Sequence, residues 1–555
     1  MFLTDLQKEI LEKKGFDLNN NKEIEKFLNP KWERDLFDYK KIKDINKSIE
    51  RIKKAIDGSE NIVIYADYDC DGIPGAVILH DLFEKINYKN VSVYIPHRHN
   101  EGYGINTKAI EKFTNEKVSL IITVDVGITN VDEIKFAQDN NIDVIVTDHH
   151  LPIINDIGKQ ILPPAFSIIN SKQDDCEYEE EFLCGSSTAW KLVHAFLDKY
   201  REDFNVGLGW EKWLLDMVGI ATIADLVPLK NENRLLARYG LEVLRKSKRP
   251  GVQKILKNAK ITQAKITEDD IGFGIAPRIN SASRMAEPVH AFFALLQNED
   301  SLSFADELEN YNNARKQDTK DAHKSLDYEK FKSEKIILVG DENWTPGIIG
   351  LVASKISEAT GKTTFVWGTG EDKNILKGSV RAGSDGYNVV EIMTEAKNIL
   401  ENFGGHEMAG GFSLEKNNLK KFEEFLREYG AKKEKIISSD EINIQNGEDI
   451  LSDNFINLNL ENINRKLFDQ IKIFAPFGTG NEKIIFKIKL SDDDFVKSKR
   501  FGKQGEHLEL MINGIKGIEF FVSEEREKEL ISKKEFLINV EWDNFRGDVV
   551  MKFVK

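Results

Sequence analysis

The chain has 555 residues, of which 41% are hydrophobic and 31% charged, and its formal net charge is −15. A single hydrophobic core rarely exceeds about 250–300 residues, so this length predicts several domains, and the composition is typical of a soluble globular protein. The acidic balance excludes a surface that is basic throughout, as nucleic-acid-binding domains often are. It does not exclude a local basic face.

The cysteine content and the lack of long apolar runs indicate where in the cell the protein is located. The three cysteines, Cys70, Cys176 and Cys184, are too few for a disulfide framework and are typical of a reducing environment. The first residues carry acids where a signal peptide needs an apolar run. No stretch reaches the ~18 apolar residues of a membrane span. We therefore expect a cytoplasmic protein without a membrane-embedded part.

Strand and helix patterns alternate after a charged, helical segment of about 60 residues. Apolar runs predict five strands, at 62–66, 91–95, 120–124, 142–147 and 166–169. This alternation predicts βαβ units and a mostly parallel sheet, in which ligands bind beyond the carboxyl ends of the strands. Residues 186–256 follow as predicted helices.

The rest of the chain predicts a connection and two further units. The stretch 289–332 is rich in charge and poor in Gly and Pro, which indicates a long connecting helix. A smaller α/β unit begins at 336–339. Five short C-terminal runs predict the strands of an OB-fold barrel: 482–490, 506–513, 515–522, 534–542 and 548–554. The predicted domains are 1–60, 61–288, the connecting helix 289–332, 333–432 and 433–555.

Acidic and imidazole side chains follow three of the predicted strands. Asp67, Asp69 and Asp71 follow the first, Asp125 follows the third, and the run Asp148-His149-His150 follows the fourth; a further carboxylate, Asp225, lies in Ala-Asp-Leu-Val-Pro. The carboxyl ends of parallel strands meet at one edge of a sheet, so we expect these groups to converge. Together they predict a binuclear metal site.

Other interpretations of these residues compete with a metal site. The first motif resembles half of an EF-hand loop, but the twelfth position is Ile78 and no helix precedes it. It could instead cap the next helix, with Asp71 near the helix N-terminus. Asp125 and Asp225 taken singly could be ordinary polar residues at the ends of elements. The donor set favours Mn²⁺ or Mg²⁺ over Zn²⁺, and no activated serine or cysteine motif competes.

Two cations about 3.5–4 Å apart would activate water and neutralise phosphate charge, so the pattern predicts a phosphodiesterase. Asp125 and Asp225 are the candidates for a carboxylate shared between the ions. Asp148 and His150 could orient other ligands rather than bind a metal themselves.

The four motifs resemble those of the DHH phosphoesterase superfamily, and the unit that contains Gly404-Gly405-His406 resembles its DHHA1 domain. More narrowly, the chain resembles the bacterial single-strand-specific DNA exonucleases of that superfamily. Segments that support the narrower likeness, in the expected order, are 276–284, 344–353 and 476–481.

The resemblance implies a role for each matching residue. The implied metal ligands are Asp69, Asp71, Asp125, His149 and Asp225, with Asp67 and His150 close by. Ser379 and Arg381, with Arg98, would hold the 5′-terminal phosphate, and Arg278, Asn280 and Arg284 would contact DNA or the scissile phosphate. His406 would lie where backbone amides approach a phosphate; alternatively, it packs in a glycine-rich turn. Ala382 departs from the serine frequent in the family.

Two basic runs could follow a strand of DNA. The segment 241–265 is basic, and so is 497–503, which contains Lys497, Lys499, Arg500 and Phe501. Phe501 could stack on a base, as aromatic residues do in OB folds. The alternative is a solvated face, with Phe501 in the core.

The resemblance implies an exonuclease that uses two Mn²⁺ or Mg²⁺ ions. It would degrade single-stranded DNA from the 5′ end to 5′-mononucleotides, in DNA repair and recombination. Its implied partners are a single-strand-binding protein and a helicase, and we expect a monomer. The alternatives are a DHH oligoribonuclease or other small phosphodiesterase, which would lack the C-terminal barrel, and a non-catalytic DHH scaffold, which would have lost metal ligands.

Overall fold

The computed structural model describes residues 2–370, 372–437, 455–491, 494–502, 505–543 and 546–554. The N-terminal segment is helical, as predicted. Its helices are α1 (Asp5–Lys13), α2 (Asn21–Leu28), α3 (Trp32–Asp35) and α4 (Ile45–Asp57). They do not form a core of their own. Ile10 and Leu11 of α1 are buried among residues of the C-terminal strands, whereas α4 packs in the core of the first sheet.

The first sheet has five parallel strands, as the alternation of strand and helix predicted. Its elements are β1 (Asn61–Ala66), α5 (Gly72–Lys85), β2 (Val91–Tyr94), α6 (Thr107–Asn115), β3 (Val118–Val124), α7 (Val131–Asp139), β4 (Asp143–Thr147), the hairpin β5 (Ile153–Ile154) and β6 (Gln160–Ile161), and β7 (Ser167–Ile169). The strand order is β2-β1-β3-β4-β7, with β5 and β6 apart. β1 lies in the middle of three strands and is buried on both faces. The carboxyl ends of β1, β3 and β4 therefore share one edge.

Helices complete this unit. They are α8 (Gly185–Tyr200), α9 (Leu215–Ala224), α10 (Asn231–Leu244), α11 (Pro250–Asn258) and α12 (Ala276–Met285). α9 and α10 cross closely at Gly219 and Gly240, where a Cβ on Gly240 would lie 2.5 Å from the Gly219 Cα. The buried Arg249 guanidinium binds Asp216 of α9 at 2.9 Å and Asp81 of α5 at 2.6 Å. These contacts fix α9, which ends just before Asp225.

The structure divides the predicted connecting helix 289–332 into three: α13 (Val289–Leu295), α14 (Ser301–Lys324) and α15 (Tyr328–Phe331). Side-chain hydrogen bonds to the first amides of α14 and α15 accompany both breaks, and Asp327 is the N-cap of α15. The Asn298 side chain accepts the Ser301 amide, and the Asp327 side chain accepts the Glu329 amide. Such side chains satisfy free amides at a helix start and so favour a new helix there.

The second unit is a mixed five-stranded sheet with helices. Its elements are β8 (Ile337–Gly340), α16 (Pro346–Thr360), β9 (Thr364–Thr369), β10 (Ile375–Arg381), α17 (Val389–Glu395), β11 (Asn402–His406), β12 (Ala409–Glu415) and α18 (Leu419–Ile437). The strand order is β11-β12-β10-β9-β8, and only the β8–β9 pair is parallel. The end of β10 carries Ser379 and Arg381 beside α16.

The C-terminal unit is a seven-stranded sheet around a separate core. Its elements are β13 (Ile456–Asn457), α19 (Arg465–Ile471), β14 (Phe486–Lys489), β15 (Val496–Phe501), β16 (His507–Ile512), β17 (Ile515–Glu519), α20 (Glu524–Ser532), β18 (Glu535–Asp543) and β19 (Asp548–Phe553). The strand order is β13-β14-β18-β19-β17-β16-β15. The basic run beginning at Lys497 therefore forms an edge strand, which was not predicted because its residues are mostly charged. Lys503 of that run and residues 438–454 of the predicted barrel domain lie outside the described residues.

Across the described ranges, no helix is both long and apolar enough to cross a membrane. The exact domain limits drawn from the sequence stay predictions.

Candidate metal centre and phosphate site

The sheet edge and one helix end bring four distant segments together. Asp67 follows β1, Asp125 follows β3, His149 follows β4, and Asp225 follows α9. Asp125 has a φ of 60°, a left-handed conformation that Asp tolerates better than most residues, and its amide donates to the Thr147 carbonyl at 2.9 Å. A Cβ at residue 185 would lie 2.5 Å from the Asp125 Cβ, so the glycine that opens α8 permits this approach.

The resulting group, here called the carboxylate–imidazole cluster, is compact. His149 Nε2 lies 3.1 Å from Asp125 Oδ1 and 3.7 Å from carboxylate oxygens of both Asp71 and Asp225. Three overlapping triples each have ligand atoms within 4.8 Å of one another: Asp67-Asp69-Asp125, Asp71-His149-Asp225 and Asp125-His149-His150. Asp125 and His149 each belong to two triples. The sequence thus predicted the convergence correctly.

Surrounding groups hold these side chains in place. The Asp71 carboxylate accepts the amides of Gly185 and Ser186 at the start of α8. Asp148 accepts the Ile128 amide and the amides of the two histidines that follow it, and it lies 2.8 Å from His150 Nδ1. Asp148 therefore orients the histidines, the role considered for it from the sequence. Tyr103 was missed: its hydroxyl lies 3.2 Å from His150 Nδ1, and it comes from a loop without a recognisable motif.

The electrostatics of the cluster fit bound cations. Burial and the charge of Asp69 raise the pKa of Asp67, and burial and the charge of Asp71 raise the pKa of Asp125. One carboxylate oxygen of each is buried without a hydrogen-bond partner. Burial lowers the pKa of His149 to about 3, so its imidazole is neutral and can act as a ligand. Unpaired oxygens, mutually repelling carboxylates and a neutral imidazole form the donor set that Mn²⁺ accepts, and Mg²⁺ suits the oxygens.

Binding of Mn²⁺ at pH 7 is expected to release at least one proton per chain, because the cation displaces protons from carboxyl groups that the metal-free protein keeps partly protonated. Burial and the charge of Asp71 raise the pKa of Asp225 to about 8, and burial and Asp69 raise that of Asp71 to about 6. Calorimetric titration in two buffers with different ionisation enthalpies measures the release. The release should decrease as pH rises through the pKa of Asp225 and should fall in Asp225→Asn; a heat independent of buffer at pH 7 would contradict this.

A second group, here called the arginine cluster, lies beside the first and comprises Arg98, Arg284, Arg315 and Arg381. Burial lowers the pKa of Arg284 to about 9, and repulsion from the other three contributes. Arg381 Nη1 contacts Ser379 Oγ at 3.1 Å. The Arg98 guanidinium lies 4.9 Å from the centroid of the Tyr68 ring, and Tyr68 stands between Asp67 and Asp69. Four cations gathered next to the carboxylates form a suitable site for a phosphate.

Arg315 of α14 was not predicted, because one arginine in a charged helix carries no sequence signal. Three further predicted DNA contacts have surroundings that the sequence did not indicate. Arg278 donates to Glu309 at 2.6 Å and to the Gly274 carbonyl, so its guanidinium is already engaged. Asn280 Oδ1 is buried without a partner. His406 is exposed in β11, and no contact among the described residues joins it to either cluster.

On the C-terminal sheet the predicted DNA-binding residues separate into two groups. Lys497 and Lys499 are exposed. Arg500 binds Glu527 at 2.6 Å and three main-chain carbonyls, so the structure removes it from the free basic surface. Phe501 is half-buried, with its ring centroid 5.1 Å from that of His507. The exposed Phe520 and Phe521 beside His507 were missed: the sequence placed them within the predicted strand 515–522, whereas β17 ends at Glu519.

Comparison with known proteins gives matches along most of the chain. Models of the DHH family N-terminal domain, the DHHA1 domain and the RecJ OB domain match residues 61–222, 332–432 and 456–554. The single-stranded-DNA-specific exonuclease RecJ of Bacillus subtilis is 34% identical over 87% of this chain, and the match spans 58% of that relative. RecJ of Salmonella typhimurium is 30% identical, over 71% of this chain and 69% of the relative.

Solved structures agree with the fold. RecJ of Thermus thermophilus in complex with Mn²⁺ superposes with a TM-score of 0.75 at 22% identity, and covers 100% of this chain and 78% of that one. An exonuclease RecJ bound to manganese, 29% identical, gives a TM-score of 0.60 over 70% of this chain and 95% of that one. The chain belongs to the RecJ family of the DHH–DHHA1 superfamily.

Proposed function

We propose that this chain is a metal-dependent phosphodiesterase that removes nucleotides from the 5′ end of single-stranded DNA and releases 5′-mononucleotides. The observation that carries the proposal is the adjacency of the two clusters: Arg98 of the arginine cluster packs on the ring of Tyr68, whose neighbours in the chain are the cluster residues Asp67 and Asp69, and its charge acts on Asp67. A terminal phosphate held by the arginines would lie next to the metal-binding groups. That proximity favours cleavage of the first internucleotide bond rather than one far from the end.

The side chains of the carboxylate–imidazole cluster have defined tasks in this proposal. Asp67, Asp69, Asp71, Asp125, His149 and Asp225 would hold the cations, with Asp125 shared between them. When bound, the cations supply an activated water and neutralise charge on the phosphate. Asp148 fixes the histidines through their amides, and Arg284 and Arg381 would hold the strand so that the scissile phosphate faces the cluster.

The comparison with single-stranded-DNA-specific relatives supports the choice of substrate, and so does the C-terminal sheet, since a small dinucleotide needs no such extension. Single-stranded DNA is then the partner. We further propose that the chain acts with a single-strand-binding protein and a helicase in DNA repair and recombination. It would do so as a monomer in the cytoplasm.

End-labelled substrates test the reaction and its polarity together. Full-chain protein with Mn²⁺ is expected to release label from a 5′-labelled single strand as mononucleotide from the first time points, and from a 3′-labelled strand only late. A matched duplex should be degraded much more slowly. Faster hydrolysis of di- and trinucleotides than of the long strand would replace the proposal with a small-substrate phosphodiesterase, and early release of a 3′ label would reverse the polarity.

Reversing charge on the edge strand is expected to weaken binding of single-stranded DNA. In Lys497→Glu/Lys499→Glu the slope of log affinity against log salt should become shallower by about 0.7 for each lost phosphate contact. Lys528→Glu on α20, also exposed, provides a control that changes charge on the same unit. Fluorescence anisotropy of a labelled oligonucleotide at several salt concentrations measures both. An unchanged slope in the double variant would remove this strand from the DNA path.

A further inference from the structure

A cavity of about 680 Å³ lies away from both clusters, where three segments of the chain meet. Its walls come from the α1–α2 region, the start of α10 and residues 480–485. This volume is within the range of about 300–1,000 Å³ that is usual for small-molecule sites. None of its lining residues belongs to the metal-binding triples.

The lining of this cavity is cationic, although the chain as a whole is acidic. Six basic side chains line it and only two acidic ones, Glu23 and Glu482, whereas the net charge of the chain is −15. A concave wall of one charge sign focuses the electrostatic field and raises the local concentration of ligands of the opposite sign. The cavity therefore favours an anion.

Two of the cations, the buried Arg234 and the half-buried Lys14, have no carboxylate from the described part of the chain in an ion pair with them. Lys14 Nζ donates to the main-chain carbonyl of Glu482 at 2.8 Å, and the Arg234 guanidinium donates to main-chain carbonyls of residues 27, 474, 475 and 476. Within the described residues neither forms an ion pair. Burial accordingly lowers the pKa of Lys14 to about 8 and that of Arg234 to about 9. A bound anion would compensate both charges.

The same cavity has an apolar, aromatic side. Phe16 and Phe27 line it with ring centroids 4.7 Å apart, and Ile10 and Ile484 lie beside them. The Arg234 guanidinium packs 4.0 Å from the Phe27 ring centroid, which fixes that ring. Aromatic faces next to cations are the surroundings that bases and phosphates require together.

We propose that this cavity binds a nucleoside phosphate, with its phosphate at Lys14 and Lys230 and its base against Phe16 and Phe27. The ligand is either a free mononucleotide or one unit of a single strand, since both present the same chemistry. The inference does not depend on the proposed nuclease activity, because the site shares no residue with the metal centre.

Hydrogen–deuterium exchange on the full chain, with dTMP as the probe, tests the proposal. dTMP is expected to slow exchange in peptides covering 9–18 and 480–486, whereas thymidine, which lacks the phosphate, should not. Lys14→Gln/Lys230→Gln should weaken this protection roughly tenfold, the loss of about 1.4 kcal/mol of binding. Lys22→Gln is the matched control, because Lys22 is exposed on α2 but does not line the cavity. Thermal midpoints of all variants establish that they are folded.

The outcomes separate the two sources of ligand. Protection by dTMP at lower concentration than by an oligothymidylate identifies the free nucleotide, and the reverse order identifies the strand; either supports the site. Protection that persists in Lys14→Gln/Lys230→Gln, or that thymidine matches, would overturn the proposal. The proposal would also be overturned if neither dTMP nor the oligothymidylate slowed exchange.

Discussion

The Asp125→Asn variant is expected to lose nuclease activity by about 10³-fold or more, a barrier increase of roughly 4 kcal/mol. Asp125 belongs to two of the three ligand triples, and its Oδ1 lies 3.1 Å from His149 Nε2. An amide at this position keeps the shape of the side chain but removes the charge that two cations would share. The loss is measured as the initial rate of mononucleotide release with Mn²⁺.

The same variant is expected to be more stable than the wild type when metal is absent. Burial and the charges of Asp71 and Asp69 raise the pKa of Asp125, so the folded protein binds a proton that the unfolded chain has already lost, and stability falls as pH rises. Asn removes this penalty, and the gain in thermal midpoint should therefore be larger at alkaline than at mildly acidic pH.

Asp132→Asn, exposed at the start of α7 near Asp125 in sequence, is the matched control and should keep full activity. An inactive Asp125→Asn protein with a lowered thermal midpoint would mean that misfolding explains the loss. Substantial activity of Asp125→Asn with Mn²⁺ would show that Asp125 is not the shared ligand.

The parallel sheet explains why much of the centre could be predicted. The groups after β1, β3 and β4 had to meet, because parallel strands of one sheet end at the same edge. Asp225 was different: it comes from the end of α9, which packing with α5 and α10 brings to that edge. Spacing along the chain does not encode such packing, so no predicted strand end supported the placement of Asp225 beside the other carboxylates.

The features that sequence missed depend on tertiary contacts. Arg315 and Tyr103 reach the two clusters from a charged helix and a loop, and neither has a motif. Arg278 and Arg500 were predicted to meet DNA, but Glu309 and Glu527 engage them. An arginine in a family motif indicates where a cation lies, whereas its partner depends on which acidic residue the fold places beside it.

The edge strand β15 was missed for a local reason. Lys497, Lys499 and Arg500 interrupt the apolar pattern by which strands are recognised. At the edge of a sheet such charges are common, because they discourage pairing with other chains. The sequence therefore showed a basic run there without indicating the strand that the structure has.

Arg381→Ala is expected to lower kcat/KM on a 5′-phosphorylated strand by about 10²-fold, the value of one or two charge-assisted hydrogen bonds. Arg381 Nη1 donates to Ser379 Oγ and to the Val380 carbonyl. Its Nη2 lies against Gly350 in the first turns of α16, where a Cβ added to that glycine would be 3.4 Å away. The guanidinium is thus fixed before substrate arrives, and the positive end of the helix adds to its attraction for phosphate.

The terminal group on the substrate decides whether Arg381 acts through the phosphate. Burial and repulsion from Arg98 lower the pKa of Arg381, so alanine relieves a strain and should not lower the thermal midpoint. A 5′-hydroxyl strand lacks the group that Arg381 would bind. On this substrate the kcat/KM of Arg381→Ala should therefore be less than about threefold below that of the wild type. Arg427→Ala, exposed on α18 of the same unit, should affect neither substrate. An equal loss of kcat/KM on the 5′-phosphorylated and the 5′-hydroxyl strand would mean that Arg381 acts on the scissile phosphate or on the fold rather than on the 5′ terminus.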